Sequence, residues 1–395
     1  MQTNWDASPL PPSRDTVLFT PGPLTTSKPV KEAMLSDYGS RDSAFIEIVA
    51  DIRRRLVEIG VSESATHEYT AIPMQGSGTF GLEAVVASVM PPDRSLLIVI
   101  NGAYGRRLQA IAETLGITVR TLTYREDQQP APDDVRRVLA EDPDIALVSM
   151  CHCETTTGIL NPLEDVGDVV SSAGRRFFVD AMSTYGGIPV DVERAHIDFL
   201  CSSANKCIEG VPGFSFIIAR TAALEETDGW ARSVSLDLLA QYRGLEENGQ
   251  FRFTPPVHAL VAFHQALLEL EAEGGVAARF TRYTTNYECL REGMYRLGFV
   301  EYLSRGFQSP IITTYCCPNR LNWDFKLFYR LLAADGHLIY PGKTGDADCF
   351  RIGTIGRIFL VDIYNLLGAI DRAIDVMEVD LFADDTEDSD DSWLD

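Results

Sequence analysis

The chain has 395 residues, of which 45% are hydrophobic and 23% are charged, so it can bury a large globular core. Its formal net charge of −23 disfavours nucleic acids and anionic membrane surfaces as partners. No apolar run reaches the roughly 18 residues of a membrane span. The first residues also lack a basic segment followed by an apolar one, so we expect a cytoplasmic protein.

Short apolar runs alternate with amphipathic segments between about residues 20 and 220. The predicted strands are residues 96–100, 119–124, 145–150, 177–180, 199–202 and 214–219. Helical patterns between them include residues 105–115 and 133–140. This alternation predicts an α/β fold with a mostly parallel sheet that is covered by helices on both faces.

The pattern changes after the consecutive prolines Pro255 and Pro256. A long helix is predicted at residues 258–273, followed by helical stretches and short strands at 311–315 and 350–352. We therefore predict four parts, which are a flexible lead (1–18), a large α/β domain (19–274), a small α+β domain (275–379) and an acidic, disordered tail (380–395).

The segment QGSGTFG (75–81) precedes a helical pattern. Backbone N–H groups of Ser77, Gly78 and Thr79 could hold a phosphate at the start of that helix. A glycine-rich turn without a ligand is an equally good interpretation. The strand before this segment looks weak and no acid follows about 20 residues later, so a dinucleotide site is not favoured.

Two further predicted strands end in polar loops. Tyr104 follows the first strand and could stack on a planar cofactor or simply pack its loop. The segment CHCETTTGILNP (151–162) offers three threonine hydroxyls, either for a ring substituent or as an ordinary turn. Its Cys-His-Cys start lacks the spacing of a metal site, and we predict no metal. The eight cysteines lie mostly in or beside apolar runs and are predicted to be unpaired, buried thiols.

Asp180 ends one predicted strand, and Lys206 follows the next. A lysine can hold the aldehyde of pyridoxal 5'-phosphate (PLP) as a Schiff base, and an aspartate can pair with its pyridine nitrogen. Taken alone, the aspartate could equally be a helix cap and the lysine a surface charge. Together with the phosphate cradle, the aromatic residue and the polar loop, however, the pair indicates PLP.

Motifs across nearly the whole chain, from residue 18 to 379, resemble those of the class V, fold-type I PLP-dependent aminotransferases. The matching segments are residues 19–27 (FTPGPLTTS), 75–84 (QGSGTFGLEA), 101–107 (NGAYGRR), 154–162 (ETTTGILNP), 179–187 (VDAMSTYGG), 202–216 (SSANKCIEGVPGFSF), 252–260 (RFTPPVHAL) and 350–356 (FRIGTIG). The resemblance implies a seven-stranded, mostly parallel sheet and a homodimer with shared active sites.

The resemblance also implies roles for individual residues. Lys206 is expected to bind the cofactor and move protons, and Asp180 to pair with its ring nitrogen. Arg351 is expected to bind the substrate anion, with Pro21 and Gly22 lining the entrance. The resemblance also implies that the cofactor phosphate is bound by Ser77, Gly78, Thr79 and Asn205, and that Thr254 reaches the phosphate of the neighbouring subunit. Tyr104 is expected to stack on the cofactor ring, and Thr155 to bond the ring oxygen.

Within the family, the motifs are most similar to those of enzymes that move an amino group from 2-aminoethylphosphonate to pyruvate. We therefore expect these two small molecules as substrates, in phosphonate metabolism. An alanine–glyoxylate or serine-type aminotransferase would use the same site residues and remains an alternative. More remote alternatives are a cysteine desulfurase, a non-catalytic PLP-fold interaction protein and a dehydrogenase.

Overall fold

The computed structural model describes residues 16–343 and 347–382. Its strands are β1 (Val17–Leu18), β2 (Tyr69–Gln75), β3 (Ser95–Ile100), β4 (Thr118–Thr123), β5 (Ile145–Cys151), β6 (Cys153–Glu154), β7 (Ile159–Leu160), β8 (Arg176–Asp180), β9 (Phe199–Ser203), β10 (Phe214–Arg220), β11 (Ile312–Cys316), β12 (His337–Leu338), β13 (Tyr340–Lys343) and β14 (Asp348–Gly353). Most of the predicted lead and tail, residues 1–15 and 383–395, lies outside the described residues.

The helices lie between these strands and after them. The α-helices are α1 (Lys28–Glu32), α2 (Ser43–Glu58), α3 (Gly78–Val89), α4 (Ala103–Thr114), α5 (Pro132–Glu141), α6 (Leu163–Ser172), α7 (Thr221–Glu225), α8 (Leu238–Asn248), α9 (Val257–Glu273), α10 (Gly275–Arg296), α11 (Phe325–Ala334) and α12 (Leu360–Val376). Short 3₁₀ helices cover Ala33–Leu35 and Thr66–Glu68.

Seven strands form the main sheet, in the order β2-β10-β9-β8-β5-β3-β4. Only β10 runs against its neighbours, and the other pairings are parallel. Every residue of β3 is buried, as expected for a strand covered by helices on both faces. The predicted mostly parallel, seven-stranded sheet is therefore confirmed.

The strand before the glycine-rich turn is much stronger than the sequence pattern suggested. β2 has seven residues, of which six are buried, and it pairs along its full length with β10. The apolar run is interrupted by Thr70 and Pro73, which made it look weak. Proline is tolerated there because β2 is the edge strand of the sheet.

A second, antiparallel sheet has the order β11-β14-β13. It packs in its own apolar core with α11 and α12, around residues that include Phe299, Phe328 and Phe350. Phe19 belongs to this second core, and Val17 and Leu18 pair with β12. Thus the end of the predicted lead is an ordered strand, while the domain boundaries themselves stay predictions.

None of the helices formed by the described residues is both long enough and apolar enough to cross a membrane.

Candidate active site

The loops singled out in the sequence meet at one edge of the main sheet. Asp180 ends β8 and stands opposite Cys151, the last residue of β5, and Cys201 of β9. The carboxyl ends of parallel strands share one edge, where ligands of open α/β sheets bind. The loops after β3, β5, β8 and β9 therefore contribute to a common site.

Asp180 is the buried acid of this site, with 3% of its surface exposed. Burial raises the pKa of its carboxyl to about 6, against the lowering effects of a hydrogen bond from the Met182 N–H and of the charges of Lys206 and Arg107. The Met182 N–H donates to Asp180 Oδ1 at 2.9 Å. The carboxylate is thus held in one orientation and shielded from water. Both properties suit a group that stabilises a single adjacent cation.

Lys206 lies close to Asp180 in a turn after β9. Its Nζ donates to the Pro21 carbonyl at 2.7 Å. Burial lowers the pKa of Lys206 to about 8, although the negative charge of Asp180 opposes this shift. Gly22 has a φ of +108°, and a Cβ there would lie 2.6 Å from Lys206 Cδ and 2.7 Å from the Asn205 carbonyl oxygen. Pro21 and Gly22 therefore touch the lysine itself rather than only an entrance.

The predicted phosphate cradle is the N-terminus of α3. Ser77 is the N-cap residue, and its side chain makes no capping hydrogen bond. The first-turn N–H groups of Gly78 and Thr79 belong to the set that a helix cannot satisfy by itself. A Cβ at Gly78 would lie 2.3 Å from Met182 Sδ, so the cradle is packed directly beneath the Asp180 loop. This arrangement suits an anion next to the buried acid and lysine.

Tyr104, in the first turn of α4, and Thr155, directly after β6, adjoin each other. Burial raises the pKa of the Tyr104 hydroxyl, and a hydrogen bond with Thr155 opposes the shift. Thr155 is 1% exposed. The two side chains predicted to face a cofactor ring are therefore brought together.

Arg351 lies in β14, opposite Thr314 of β11 and Tyr340 of β13. Its Nη1 donates to the Thr155 carbonyl at 2.9 Å, and its Nη2 donates to the Pro341 carbonyl at 2.9 Å. Among the described residues, the hydrogen-bond partners of this guanidinium are these backbone carbonyls, and it forms no ion pair with a carboxylate. The arginine is held by neutral carbonyls, so its charge is available to an anion.

Thr254 and Asn205 are the predicted phosphate ligands farthest from the cradle in sequence. Thr254 is exposed, in the loop before α9, and its carbonyl accepts a hydrogen bond from Gln75 Nε2 at 3.3 Å. Asn205 is half-buried and directly precedes Lys206. An exposed Thr254 is compatible with the predicted contact to a second subunit.

Glu154 is a functional candidate that the sequence reasoning missed. It is fully buried and accepts hydrogen bonds from the N–H groups of Tyr104 at 3.1 Å and Gly105 at 3.3 Å. It thereby caps α4, and burial raises the pKa of its carboxyl to about 7. A Cβ at Gly102 would lie 2.1 Å from Glu154 Cγ, which explains this glycine. The available signal was an acid within an otherwise uncharged loop after a buried strand.

Arg107 was also missed, although it ends the NGAYGRR segment (101–107). Its guanidinium carbon is 4.9 Å from the centre of the Tyr104 ring, and its Nη1 is 3.5 Å from Thr79 Oγ1. It stands one helical turn after Tyr104, so the i, i+3 spacing in α4 was the available signal. Its positive charge also lowers the pKa of Asp180.

The Cys-His-Cys segment makes internal contacts. His152 Nδ1 is 3.0 Å from Thr184 Oγ1, and Cys151 Sγ donates to the Cys153 carbonyl at 3.1 Å. Cys153 Sγ lies 3.2 Å from Ser309 Oγ. None of the eight cysteines, all of which lie in the described part of the chain, forms a disulfide, and five of them are buried. These residues therefore pack the loop after β5.

The family of the chain follows from comparison with known proteins. Residues 36–319 match the description "Aminotransferase class-V", and the chain belongs to that family. It is 49% identical over 360 residues to the 2-aminoethylphosphonate–pyruvate transaminase of Vibrio cholerae serotype O1, covering 91% of this chain and 97% of that relative. The predicted family is thus confirmed.

Solved structures agree with this assignment. The alanine–glyoxylate aminotransferase of Nostoc sp. superimposes with a TM-score of 0.83 at 26% identity, covering 95% of this chain and 98% of that one. The PLP-bound phosphoserine aminotransferase of Trichomonas vaginalis has a TM-score of 0.72 at 18% identity, covering 89% and 99% of the two chains. The second likeness bears on the fold alone.

Proposed function

We propose that this protein transfers the amino group of 2-aminoethylphosphonate to pyruvate, giving phosphonoacetaldehyde and L-alanine. The observation that carries the proposal is the 49% identity, over 91% of the chain, to the Vibrio cholerae enzyme of that name. A half-buried lysine and a buried acid at one edge of the main sheet support it, together with Arg351 of the antiparallel sheet, which has no carboxylate partner among the described residues. The cytoplasmic location stays a prediction.

PLP is the cofactor we propose. The residues at the sheet edge fit it, because a desolvated acid, a lysine and a helix N-terminus converge where Gly22 and Gly78 leave no room for a side chain. When bound, PLP supplies an electron sink that stabilises negative charge on the substrate carbon bearing the amine. Ser77, Gly78, Thr79 and Asn205 would hold its phosphate, with Tyr104 and Thr155 beside its ring.

Lys206 would hold the cofactor aldehyde and, once displaced by the substrate amine, move a proton at its Nζ. A lysine can accept a proton only when a useful fraction of it is neutral. A pKa of about 8 provides this fraction near neutral pH. The Pro21 carbonyl holds Nζ at a fixed position while the proton is transferred.

Asp180 would stabilise a proton on the ring nitrogen. Its carboxyl is largely ionised above a pKa of about 6, so at neutral pH it presents a full negative charge. Because it is desolvated, its attraction for one adjacent cation is stronger than in water. The Met182 N–H keeps Oδ1 in place, so the carboxylate needs no reorganisation.

Arg351 would bind the phosphonate in one half-reaction and the pyruvate carboxylate in the other. Its planar fork suits either anion in a bidentate geometry. The fork is already oriented by the Thr155 and Pro341 carbonyls. It must attract anions to a protein of net charge −23, whose long-range repulsion is screened beyond about 8 Å at physiological salt.

We also propose a homodimer in which Thr254 of one subunit reaches the phosphate cradle of the other. Thr254 is exposed in the isolated chain. Neighbouring residues line a polar cavity of about 340 Å³ that includes Arg41 and Arg252, and such a basic surface suits the approach of an anion.

The test is a panel of amino donors with pyruvate as the acceptor, with L-alanine measured as the product. We expect 2-aminoethylphosphonate to have the highest kcat/KM. The alternative, an alanine–glyoxylate or serine-type aminotransferase, is favoured by the likeness to the Nostoc structure. Turnover with an α-amino acid but none with 2-aminoethylphosphonate would replace the proposal with this alternative.

A further inference from the structure

Four charged side chains and a tyrosine form a buried network beside the turn that carries Lys206. The exposed fractions of Glu209 and Arg279 are 3% and 0%, and those of Glu273 and Arg282 are 17% and 11%. Two acids and two arginines cancel in charge, as buried ions must. We call these residues the Glu209 network, and its members are Glu209, Glu273, Arg279, Arg282 and Tyr283.

One side of the network holds the main chain directly after Lys206. The Glu209 N–H donates to the Lys206 carbonyl at 2.8 Å. Arg279 Nη1 donates to the Cys207 carbonyl at 2.6 Å, and the Tyr283 hydroxyl lies 3.2 Å from the same oxygen. Arg282 Nη2 donates to Glu209 Oε1 at 2.6 Å. The turn from Lys206 to Glu209 is therefore held at the Lys206 and Cys207 carbonyls and at the Glu209 side chain.

The other side of the network holds the segment that leads away from Arg351. Arg282 Nη1 donates to the carbonyls of Gly356 at 2.6 Å and Ile358 at 3.1 Å. The Gly356 N–H donates to the Tyr283 hydroxyl at 3.3 Å. Gly356 follows the end of β14, the strand of Arg351, by three residues. Arg282 and Tyr283 thus contact both the turn after Lys206 and the segment after β14.

Several features of the network are unfavourable for stability. Glu209 has a φ of +66°, a left-handed backbone conformation that is strained for a non-glycine residue. Its Oε2 and the Nη2 of Arg279 are buried with no hydrogen-bond partner among the described residues. Buried ion pairs seldom stabilise a fold better than apolar groups of the same size. A positional role explains why such an arrangement is present.

We propose that the Glu209 network is a positioning device for amino transfer. It fixes the main chain of Lys206 relative to the strand of Arg351, and so sets the distance between the lysine Nζ and the bound anion. A substrate whose amine and anion are separated by a fixed number of bonds requires that distance to be constant. The inference rests on the proposed function for the roles of Lys206 and Arg351, and the network members are positioning residues.

The test compares Glu209→Gln with Asp198→Asn in the PLP-loaded enzyme. Both changes neutralise a mostly buried acid, since Asp198 is 15% exposed and lies 3.7 Å from Arg220. Asp198, however, precedes β9 at the end opposite Lys206. We expect Glu209→Gln to lower kcat about tenfold or more, since small misplacements at a reacting centre are costly.

The second readout is the pH midpoint of the visible absorption of bound PLP, measured without substrate. We expect Glu209→Gln to lower this midpoint, because the uncompensated arginines disfavour a cation at Lys206. Asp198→Asn should lower the melting temperature. Its kcat should stay within twofold of the wild-type value, and its midpoint should equal the wild-type midpoint within error.

The proposal is overturned if Glu209→Gln lowers only the melting temperature, as the control does. If Glu209→Gln fails to fold, Tyr283→Phe replaces it, since this change removes only the hydroxyl between Glu209 and the Cys207 carbonyl. Tyr283→Phe removes no charge, so we expect it to lower kcat and to leave the midpoint unchanged, and an unchanged kcat overturns the proposal. Because the spectral midpoint needs no substrate, a wild-type enzyme inactive on 2-aminoethylphosphonate contradicts the proposed function and leaves the test of the network intact.

Discussion

Burial moves the pKa values of Asp180 and Lys206 towards each other, to about 6 and about 8. At pH 7 the acid is mostly ionised, while roughly a tenth of the lysine is neutral. The acid is therefore mostly in the charged form that its proposed role needs, and the lysine has a neutral fraction that can accept a proton. Neither shift requires a metal or a second acid, because desolvation is the largest cause in both cases.

Lys206→Ala should abolish the absorption of lysine-bound PLP and lower turnover by at least about a thousandfold, as expected when the attachment point and the proton carrier are lost together. Absorption spectra and alanine formation measure the two effects. Lys28→Ala is the matched control, because the Lys28 side chain is 83% exposed and forms a surface ion pair with Glu32 on α1. Multiple turnovers by Lys206→Ala would remove this residue from the mechanism.

Arg351→Lys should raise KM for both 2-aminoethylphosphonate and pyruvate by about ten- to a hundredfold, since it keeps the charge but loses the bidentate fork. The orienting contacts with Thr155 and Pro341 also require the guanidinium shape. Steady-state kinetics with each substrate varied in turn measure the effect. If only the KM for pyruvate rises, the phosphonate is bound by a different group.

At the scale of elements, α4 is positioned by a carboxylate from another loop. Its N-cap is Gly102, which has no side chain to satisfy the first N–H groups. Glu154 instead accepts hydrogen bonds from the N–H groups of Tyr104 and Gly105, and so connects α4 to the loop of Thr155. Tyr104 and Arg107 both lie on α4, and their positions depend on this contact.

Glu154→Gln should change how stability depends on pH. The pKa of Glu154 rises on folding from 4.5 to about 7, so the folded protein binds more protons than the unfolded chain between these values. The carboxyl therefore lowers the free energy of unfolding progressively as the pH rises from about 4.5 to 7. Glutamine cannot ionise, so the variant should gain stability relative to the wild type over this range.

Urea unfolding at saturating PLP, at pH 5 and pH 7.5, measures this difference. Asp180 has a shift of the same sign and is present in both proteins, so the difference between them contains the contribution of Glu154 and its coupling to Asp180, whose charge helps to raise the pKa of Glu154. A stability difference that is the same at both pH values would mean that Glu154 does not titrate as described.

The elements that the sequence predicted well are those whose pattern is local. The inner strands β3, β5 and β8 are continuous apolar runs, and their predicted bounds differ from the observed ones by one residue at most. β2 was underestimated because its polar and proline residues are compatible only with an edge position. Glu154 and Arg107 were missed because their contacts join segments far apart in sequence.

For the whole molecule, the candidate site draws on both sheets. Asp180 ends a strand of the seven-stranded sheet and Lys206 lies in the turn after another, whereas Arg351 belongs to the antiparallel sheet near the second core. The hydrogen bond from Arg351 to the Thr155 carbonyl connects the two. In the proposed mechanism the amine and the anion of one substrate would be held by separate layers, so we expect the relative position of these layers to affect activity.

The proposed dimer predicts complementation between two inactive variants. Thr254→Glu places a negative charge where the cofactor phosphate of the other subunit would lie, and Lys206→Ala removes the lysine. Each homodimer should be inactive. In random mixtures half of the dimers are mixed, and one of their two sites is then intact, which gives about a quarter of wild-type activity.

Co-expression of the two differently tagged variants, followed by an alanine assay on the purified mixed dimers, measures this recovery, which should be about half of wild-type activity because one of the two sites is intact. Lys206→Ala with Asp180→Asn is the matched control, because both residues serve the site of their own chain and no mixed dimer regains an intact site. Recovery in the control would show that complementation does not report on Thr254. If the Thr254→Glu pair recovers nothing while the purified mixed dimer forms, Thr254 acts within its own subunit, and the shared site is wrong even though the dimer exists. Thr254 is exposed in the single chain, so the glutamate itself leaves the fold of each subunit undisturbed.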